Sequence, residues 1–539
     1  MNKIGNPVKA GSRLDLWPSS TRQLRVSVHE FLGPDRFSFY DEAMKDSPID
    51  RRGFAKGIAA GALSSTAALA GAQEKINPDN RPKPLPRIRP GDENKIFGTN
   101  ERMHIRTSGS LKGDWFSEEA RDIPLAGDFD VIVCGGGPAG FAAALAAARS
   151  GASTMLIEVN GCIGGIWTAG MLSWILDGVN KPGIMRELGS RIESDSVGSR
   201  YKHAWVYHPE PMKLLLEEML LEAGVKIRLH TRVVGAVPDE GGRLSTIVTE
   251  SKTGREVWTA KSFIDATGDG DLAAQAGCGF DFGRPGDGIT QPFSLMALFH
   301  GAKTDEIAPF VNHLASARGL GRAKSNLLEE FRSAGIDPSY GGPTIFEIHD
   351  GLYAMMANHQ YTVSSIDAAD VSRATLEARK ENHALIQALR KKGGPWKGIE
   401  ILATGEQIGT REGRRIHGRY SVSDEDLKNG VRFEDGICRV TFPIDVHATD
   451  PKKTKEIEKK PFKSQPYDIP LRSLMAKDVD GLVLAGRCIS GGFIAHSSYR
   501  VTGNAVAMGE AAGVTCAVAA REKVLPHEVP FDSLGVKPA

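Results

Sequence analysis

The residues from Gly135 to Gly140 read GGGPAG, a spacing that can bind a phosphate group. Gly135 would permit a tight turn, Gly137 would let the backbone approach a pyrophosphate, and Gly140 would let a helix pack closely on a strand. Free N–H groups at the start of that helix would face the phosphates. Glu158 stands where its carboxylate can accept hydrogen bonds from ribose hydroxyls. We therefore expect an adenine dinucleotide here, contacted by Gly135, Gly137, Pro138, Ala139, Gly140 and Glu158.

The elements that must position these residues follow one another in the required order. Residues 129–134 (FDVIVC) form a short apolar run with β-branched side chains, which predicts a buried strand. An alanine-rich helix follows and ends at Gly151, and residues 153–157 (STMLI) predict a second strand that leads into Glu158. A glycine motif alone is weak evidence, but here strand, helix, second strand and acid fall in register.

Later segments favour FAD over other adenine dinucleotides. A second glycine run at 161–165 (GCIGG) follows the acid, where an FAD fold carries its chain along the pyrophosphate arm. A helix at 211–223 and a strand at 225–237 precede the strand at 262–271, whose ATG sequence is typical of a return to the nucleotide. The strand at 481–486 then leads into a small-residue helix. This order predicts an α/β protein with a two-halved, Rossmann-like FAD-binding fold and an inserted mixed substrate domain.

Several separate motifs occur in sequence along residues 128–520, among them GGGPAG, DATGDGDLAAQAG, TREGRRIHGRY, PIDVH, YDIPLRSL and LVLAGRCISGG. The set resembles the bacterial FAD-dependent oxidoreductase family, which is distantly similar to fumarate-reductase-type flavoproteins. The resemblance implies FAD and redox chemistry, and it leaves the substrate open. Arg487 stands where many flavoproteins have an aspartate. The further FAD contacts that the resemblance implies are Gly164, Gly165, Val233, Asp269, Gly486 and Arg487.

Candidate catalytic groups lie just before the last helix. Hydride transfer to a flavin leaves negative charge on its pyrimidine ring, which a helix N-terminus or a cation can stabilise. Gly503 and Asn504 open that helix and are predicted to face the ring, with simple packing as the alternative. His496, Tyr499 and Arg500 lie where the isoalloxazine is expected. His496 is the first candidate for the general base, and Arg500 would bind an anionic substrate group or the flavin.

Three other features leave two interpretations open. Asp445 and His447 alternate in PIDVH and would share one face of a strand, either as substrate-lining groups with His447 catalytic or as a structural pair. The run REGRR at 411–415 is either a solvated helix face with salt bridges or a carboxylate clamp. Cys162 is either a covalent flavin tether or, like most buried cysteines, an unreactive small hydrophobic residue.

Composition excludes several classes of function. A net charge of +1 favours neither nucleic acid nor an anionic membrane surface. The six cysteines include no C-x-x-C pair, so no metal site, iron–sulfur centre or disulfide framework is expected. No second G-x-G-x-x-G follows a strand. Electrons are therefore expected to pass directly between the flavin and a small-molecule substrate, and then to an acceptor that the sequence does not identify.

The N-terminal region has the pattern of an export signal. Arg51 and Arg52 precede a weakly apolar run that ends in an A-x-A sequence, which resembles a twin-arginine signal. We expect translation to start at Met44, the twin-arginine export machinery to recognise the signal, and the protein to be periplasmic or secreted. No membrane span is expected.

These observations divide the chain and predict its activity. The predicted regions are a non-translated or disordered extension (1–43), a signal peptide (44–72), a Pro-rich arm (73–127), the first FAD-binding part (128–280), a substrate or cap domain (281–465), the C-terminal FAD-binding part (466–522) and a tail (523–539). The predicted activity is hydride transfer at flavin N5 with a carbohydrate-derived alcohol or an organic acid. The alternatives are a fumarate-reductase-like reductase of an unsaturated acid and a non-catalytic flavin-binding scaffold.

Overall fold

Strands and helices alternate along the described residues, 107–202 and 204–535 of a computed structural model. The strands are β1 Gly109–Lys112, β2 Trp115–Glu118, β3 Leu125–Cys134, β4 Thr154–Ile157, β5 Trp174–Leu176, β6 Gly198–Tyr201, β7 Ala204–Tyr207, β8 Lys226–Arg228, β9 Arg232–Pro238, β10 Leu244–Ser251, β11 Gly254–Asp265, β12 Phe280–Asp281, β13 Ala297–His300, β14 Thr344–His349, β15 Leu352–Met356, β16 Glu400–Thr404, β17 Arg415–Ile416, β18 Gly436–Val440, β19 Tyr467–Pro470 and β20 Leu482–Leu484. The helices are α1 Pro138–Arg149, α2 Gly183–Ser194, α3 Pro209–Glu222, α4 Asp271–Gln275, α5 Thr304–Ile307, α6 Asn312–Ala317, α7 Ala323–Ser333, α8 Ala368–Lys392, α9 Asp424–Asn429, α10 Phe493–Tyr499 and α11 Thr502–Glu522.

A seven-stranded sheet carries the glycine loop at its carboxyl edge. Its order is β8-β4-β3-β11-β10-β9, and β20 pairs with β11. The neighbours β8, β4, β3 and β11 are parallel, as are β11 and β20. The long strand β11 pairs first with β10 and then, at residues 263–265, with β20. Residues 131–134 are fully buried, as expected for a parallel strand that is covered on both faces.

Two helices that are distant in sequence pack closely against each other beside this sheet. Helix α1 is alanine-rich, and α11 presents glycines to it. A Cβ atom at Gly509 would lie 2.0 Å from the Ala139 carbonyl oxygen, and one at Gly513 would lie 2.2 Å from the Ala143 carbonyl oxygen. Only glycine allows this approach. Helix α11 therefore holds the C-terminal part of the chain against the start of α1.

The region between α4 and β20 has a sheet and a core of its own. Its four strands are antiparallel in the order β14-β15-β13-β16. Phe299, Tyr353, Leu385 and Trp396 are fully buried in the core that this sheet shares with α8. The short pair β12-β17 joins residues 280–281 to residues 415–416, which brings the REGRR run beside the FAD-binding half.

The predicted fold class is confirmed, and most of the predicted elements exist with shifted ends. The helix predicted to end at Gly151 is α1, and the helix predicted at 211–223 is α3. The single strand predicted at 225–237 is wrong. Strand β8 pairs in parallel with β4, whereas β9 pairs antiparallel with β10. His230, at φ +52°, turns the chain between them, a conformation that the apolar pattern does not reveal.

Several predictions fall wholly or partly outside the described residues. The export signal, the Met44 start and the first part of the arm are among them. In the rest of the arm, β1 and β2 form a hairpin, and β3 begins at Leu125. The segment predicted as a tail packs back, with Val529 and Leu534 buried. Among the described helices, none is long and apolar enough to cross a membrane. The domain boundaries remain predictions.

Candidate active site

The GGGPAG loop contains three glycines that differ in what surrounds them. Gly135 has φ +98°, and a Cβ there would lie 2.5 Å from the Ala266 carbonyl oxygen. A Cβ at Gly140 would lie 1.7 Å from the Gly135 carbonyl oxygen, so this glycine is required by packing. A Cβ at Gly137 would meet nothing within 4 Å. Because neither strain nor packing requires a glycine at 137, the open space beside it fits a ligand.

Helix α1 begins directly at this open space. Gly137 is its N-cap, no side chain caps it, and Pro138 occupies the first turn. The uncapped N–H groups and the helix dipole make this end suited to a phosphate. Ala139 lies in the same turn and is buried against the rest of the fold.

Glu158 lies beside the loop at the end of β4 and is 4% exposed. Its Oε2 accepts a hydrogen bond from the Gly136 N–H, and its Oε1 accepts one from the Asn160 N–H at 2.7 Å. Burial raises the pKa of this carboxyl, and the backbone N–H groups oppose that rise. The acid therefore fixes the loop and stands at the edge where a ribose is expected.

The second glycine run lies directly on the first. Gly164 has φ +115°, and its N–H donates to the Gly136 carbonyl oxygen at 2.8 Å. A Cβ at Gly165 would lie 3.0 Å from the Gly137 Cα. Val233 lies on β9, where its carbonyl oxygen accepts a hydrogen bond from Gln275 Nε2 at 3.1 Å. Gly164 and Gly165 are thus next to the open space, while Val233 lies on a more distant strand of the same sheet.

Three more of the predicted cofactor residues meet at the carboxyl end of β11. Arg487 Nη1 lies 2.9 Å from Asp269 Oδ1, and both side chains are largely buried. A Cβ at Gly486 would lie 3.1 Å from the Ala139 Cβ and 4.0 Å from the Ala505 Cβ. Gly486 therefore joins α1 to the start of α11. Arg487 forms an ion pair with the predicted Asp269, which accounts for an arginine at a position where many flavoproteins carry the acid.

The start of α11 is packed rather than open. A Cβ at Gly503 would lie 2.5 Å from the Leu176 carbonyl oxygen, so packing against the backbone requires this glycine. Asn504 is fully buried, and its Oδ1 accepts a weak hydrogen bond from Cys438 Sγ at 3.5 Å. Its Nδ2 has no partner among the described residues. The predicted contact of Asn504 with FAD thus has an unused donor, whereas Gly503 has a structural reason to be glycine.

A chain of polar side chains lies beyond α11, in the cap half. His447 Nε2 lies 3.3 Å from Asp445 Oδ2, and His447 Nδ1 lies 3.1 Å from His359 Nε2. His359 Nδ1 in turn lies 3.1 Å from the Tyr361 hydroxyl. Asp445 and His447 do share one face, as the alternation predicted, but apart from a bridge at His447 their segment is extended loop rather than strand.

Two buried arginines adjoin this chain. Arg500 Nη2 donates to the Asp445 carbonyl oxygen at 2.9 Å and lies 3.5 Å from Asp445 Oδ2. Arg411 donates to the Pro292 carbonyl oxygen and, at 3.0 Å, to Ser294 Oγ. Among the described residues, no carboxylate lies within ion-pair distance of Arg411. Burial and the charge of Arg500 lower the pKa of Arg411 to about 10.

Comparisons with known proteins add the cofactor to this geometry. Residues 130–536 match the family model described as FAD dependent oxidoreductase. The chain belongs to this family. It is an oxidoreductase, and FAD is its cofactor. Among curated proteins, no sequence matches the chain.

Solved structures with similar folds have other chemistries. A geranylgeranyl bacteriochlorophyll reductase-like protein from Thermoplasma acidophilum is 14% identical, with a TM-score of 0.37, over 73% of this chain and 78% of that chain. A myxobacterial chondrochloren halogenase is 14% identical, with a TM-score of 0.41, over 76% and 77%. The anhydrotetracycline hydroxylase of Streptomyces rimosus is 13% identical, with a TM-score of 0.38, over 76% and 65%. Similarity at this level carries no argument about the substrate.

The residues of this oxidoreductase fit FAD in two respects. The open space at Gly137 faces the uncapped start of α1, as a pyrophosphate requires. Buried polar atoms without described partners occur farther along, at Asn504 Nδ2 and at both ring nitrogens of His496. Buried polar groups nearly always have partners in a complete structure. The loop at 135–140 and Glu158 would therefore hold FAD, and Asn504 and His496 would be available as further contacts.

His496 and Tyr499 are less suited to proton transfer than the sequence suggests. Both are fully buried within α10 or at its end, and burial lowers the pKa of His496 well below its ordinary value. Tyr499 stacks edge-on against His496 at 5.4 Å between ring centroids, and its hydroxyl donates to the Ile489 carbonyl oxygen at 3.2 Å. The catalytic role of His496 stays a prediction. The geometry gives His447, the other predicted base, charged neighbours of the kind that proton transfer needs.

The REGRR run is not a solvated helix face, so that interpretation is wrong. Residues 411–415 are not helical, and Arg411, Glu412 and Arg415 are 8%, 0% and 3% exposed. Arg415 pairs with Glu412, and Arg414 binds Asp271 at 2.8 Å. The run therefore lines the junction between the FAD-binding half and the cap.

Cys162 has no feature of a reactive thiol. It is 7% exposed, and its Sγ lies 3.6 Å from Thr168 Oγ1. Burial raises its pKa, which disfavours the thiolate that a covalent bond to the flavin would need. The covalent tether therefore has no support in the geometry.

Three residues of the polar chain were missed from the sequence. His359 and Tyr361 alternate in NHQY, as Asp445 and His447 do in PIDVH, and this alternation was the available signal. Gln291 carried no signal. Its Oε1 accepts from the His447 N–H at 3.0 Å and from Arg500 at 3.3 Å, and its Nε2 has no described partner.

Proposed function

We propose that this enzyme oxidises the hydroxyl group of a small organic acid anion. The supporting observation is the net charge of a cluster beside α11 that consists of Arg411, Arg500, Asp445 and His447. Arg411 is buried, the Arg500 side chain is 12% exposed, and the one carboxylate of the described residues within ion-pair distance of either is Asp445, which contacts Arg500. Burial and Arg411 lower the pKa of His447 to about 3, so this ring is neutral. The cluster carries one uncompensated positive charge, and burying such a charge is costly unless an anion joins it.

The two arginines would bind the substrate carboxylate. The guanidinium of an arginine presents a planar set of donors that matches a carboxylate in two hydrogen bonds. Arg411 has an exposed fraction of 8%, and its described hydrogen-bond partners, the Pro292 carbonyl oxygen, Ser294 Oγ and Met356 Sδ, are all neutral, so part of its charge is available. Arg500 Nε and Gln291 Nε2 are further buried donors without described partners.

Asp445 and His447 would accept the hydroxyl proton. The pKa of Asp445 lies below its usual range because His447, Arg500 and Arg411 outweigh the burial that would raise it, so Asp445 is ionised. Both His447 and Arg500 contact its Oδ2, and its side chain is 20% exposed. Its carboxylate can take the proton from the substrate hydroxyl, and His447, in the tautomer that carries its proton on Nδ1, can then accept that proton at Nε2.

The substrate itself would strengthen this base. After burial, the charge of Arg411 is the strongest cause of the low pKa of His447, and Arg500 contributes in the same direction. A bound carboxylate offsets both positive charges and therefore raises the proton affinity of the ring. A neutral alcohol offers no such compensation, which favours the organic acid over the carbohydrate-derived alcohol.

FAD, when bound, supplies a two-electron acceptor that takes a hydride from the substrate carbon. The carbinol carbon loses that hydride while its hydroxyl loses the proton to Asp445. A 2-hydroxy acid thus becomes a 2-oxo acid, and the two electrons leave to an acceptor that is not identified.

A panel of substrates under anaerobic conditions tests this proposal. Purified holoenzyme is mixed with lactate, malate, tartrate or gluconate, and with the methyl ester or amide of each acid as a matched uncharged control. We expect one or more acids to bleach the flavin absorbance and its uncharged partner to do so far more slowly. Equal bleaching by the uncharged partner, or bleaching by neutral sugars alone, would contradict the proposal.

The second candidate is a different reaction, in which reduced flavin reduces the carbon–carbon double bond of an unsaturated acid, as in fumarate-reductase-type enzymes. The same arginines would bind its carboxylate, which is why the geometry leaves this candidate open. Photoreduced enzyme that fumarate reoxidises, with no bleaching by any hydroxy acid, would favour the reductase.

We also propose export by the twin-arginine route, which rests on Arg51, Arg52 and the apolar run that follows them. Replacing both arginines with lysine is expected to retain the precursor in the cytoplasm. An unchanged yield outside the cytoplasm would contradict this proposal.

A further inference from the structure

We propose that His359 and Tyr361 form the proton exit from the Asp445–His447 pair. This inference rests on the proposed function, because oxidation of an alcohol deposits a proton on that pair. The proton must then leave, since otherwise the base stays occupied and the next substrate cannot react. His447 is 6% exposed and His359 is 2% exposed, so neither ring can release a proton to water directly.

The four groups form one unbroken line of hydrogen bonds. The separations are 3.3 Å from Asp445 Oδ2 to His447 Nε2, 3.1 Å from His447 Nδ1 to His359 Nε2, and 3.1 Å from His359 Nδ1 to the Tyr361 hydroxyl. Each histidine contacts one neighbour in the line through Nδ1 and the other through Nε2. In the proposed reaction the substrate would cover the exposed part of Asp445, whereas Tyr361 is partly exposed, so the line runs from the substrate side to a group that water can reach.

The direction of these hydrogen bonds follows from Asp445. An ionised carboxylate only accepts, so His447 Nε2 carries a proton and, in the neutral ring, Nδ1 accepts. His359 must then donate from Nε2 and accept at Nδ1, and Tyr361 donates its hydroxyl proton to His359. Every donor and acceptor along the line is satisfied in this state.

A proton on Asp445 favours the opposite direction. Asp445 then donates to His447 Nε2, His447 donates from Nδ1 to His359 Nε2, and His359 donates from Nδ1 to the Tyr361 oxygen, so both rings carry their proton on the other nitrogen. The Tyr361 hydroxyl points elsewhere, and the Ser339 carbonyl oxygen lies 3.1 Å away as a second acceptor. When the Tyr361 hydroxyl proton passes to water, one proton shifts across each hydrogen bond toward Tyr361, Asp445 becomes a carboxylate again, and the first state is restored. No bond other than O–H and N–H bonds changes, and no electrons move.

The backbone holds the two outer residues in this position. His359 and Tyr361 flank Gln360, whose N–H and carbonyl oxygen bond Phe293 at 2.8 and 3.0 Å. The ring of Tyr340 stacks on His359 with 4.0 Å between centroids. Thr362 has φ +55°, which is costly for a β-branched residue. Such strain persists where the surrounding structure enforces it, and here it lies directly after Tyr361.

Replacing Tyr361 with phenylalanine tests the exit and removes one oxygen atom. The matched control is Tyr340→Phe, because the Tyr340 ring packs on the same imidazole but its hydroxyl bonds neither histidine. Holoenzyme is mixed anaerobically with the bleaching hydroxy acid in a weak buffer that contains a pH-indicator dye. Flavin absorbance reports the hydride transfer, and the dye reports the proton that reaches water.

In the wild type and in Tyr340→Phe, proton release should keep pace with flavin bleaching. In Tyr361→Phe, bleaching should occur while proton release lags by about a hundredfold, as when a positioned proton-transfer group is lost. Simultaneous release in Tyr361→Phe, or an equal lag in both variants, would overturn the proposal. A wild type that no hydroxy acid bleaches would contradict the proposed function instead.

A second measurement needs no substrate. In holoenzyme with ¹⁵N-labelled histidine, single His359→Gln and His447→Gln variants assign the two pairs of ring signals. Tyr361→Phe should shift the signals of both histidines, because the polarity of the line is transmitted from one ring to the next, and Tyr340→Phe should leave their protonation pattern unchanged. Signals of His359 and His447 that do not respond to Tyr361→Phe would overturn the proposal without reference to activity.

Discussion

Two nearby arginines, Arg411 and Arg415, are both buried but differ in their partners. Arg415 pairs with the fully buried Glu412 and also donates to the Gly283 carbonyl oxygen at 2.9 Å. Arg411 donates to neutral oxygen and sulfur atoms, and its charged neighbours are Arg500 and the more distant Asp445, which lies outside ion-pair distance of it. A buried charge that is paired with its counter-ion is compensated within the fold, whereas a buried charge without a counter-ion can be compensated by an oppositely charged ligand. The comparison therefore separates the residues that hold the loop from those that would bind substrate.

The largest expected effect concerns the carboxylate beside Arg500. Asp445→Asn removes the proton acceptor but keeps the size and the hydrogen bonds of the side chain. We expect flavin reduction by the substrate to slow by about a hundredfold to ten-thousandfold, which is typical for loss of a general base. Stopped-flow absorbance measures this rate. Asp435→Asn, which alters a carboxylate paired with Arg472, is the control and should react at the wild-type rate. A small effect of Asp445→Asn would place the base elsewhere, with His496 as the next candidate.

Among these substitutions, breaking the ion pair between Glu412 and Arg415 should lower the free energy of unfolding the most. Glu412→Gln leaves Arg415 buried and charged without its carboxylate. We expect the free energy of unfolding to fall by about 3–5 kcal/mol, which is the usual cost of removing one partner of a buried ion pair. Urea denaturation of the holoenzyme measures it. A loss below about 1 kcal/mol would mean that Glu412 is no more structural than a surface acid.

Arg411→Met should weaken substrate binding without lowering the free energy of unfolding. Removing an uncompensated buried charge relieves an unfavourable interaction, so the free energy of unfolding should stay the same or rise. The KM for the acid should rise by about tenfold to a hundredfold, because a hydrogen bond to a charged group contributes about 1.5–3 kcal/mol. Steady-state kinetics and the same urea titration provide both values. A destabilised variant with unchanged KM would assign Arg411 to the fold.

The smallest effect is the pH dependence of stability that His447 causes. Burial and Arg411 lower its pKa from 6.5 to about 3, so in this range the unfolded chain binds a proton that the folded protein does not. The stabilisation is complete above pH 6.5 and is lost as the pH falls toward 3. His447→Gln should flatten the slope by up to about 1.4 kcal/mol per pH unit. His417→Gln, at an exposed histidine, is the control, and an identical slope in both variants would contradict the assignment.

The glycine loop could be predicted from the sequence because its function resides in the backbone. Gly135 needs a positive φ, Gly140 allows a close approach, and Gly137 leaves space, so the residue types alone reveal the arrangement. The strand before it and the helix after it are local and strongly patterned. The same reasoning failed at 225–237, where a turn at His230 interrupts an apolar run and sends the two halves to different neighbours.

The cluster could be predicted only in part because its side chains come from five separate segments. Arg500 and the pair Asp445 and His447 stood in suggestive patterns, and the REGRR run suggested a clamp. Burial of Arg411 without a carboxylate is a property of the assembled fold, since the sequence places Glu412 next to it. His359 and Tyr361 lie in the cap after β15. No local sequence pattern specifies where this part of the cap lies relative to α11.

The contact of α11 with α1 also determines how the molecule can be divided. Gly509 and Gly513 let α11 pack closely on α1, so each part of the dinucleotide-binding half is incomplete without the other. The cap between these parts has its own sheet and core. A protease that cuts an exposed cap loop, such as the one around Gly319, would leave two chains joined by this helix pair. Contacts this distant in sequence form slowly. The cofactor pocket is therefore complete only when segments from both sides of the cap have come together, and cofactor binding reports that this long-range contact has formed.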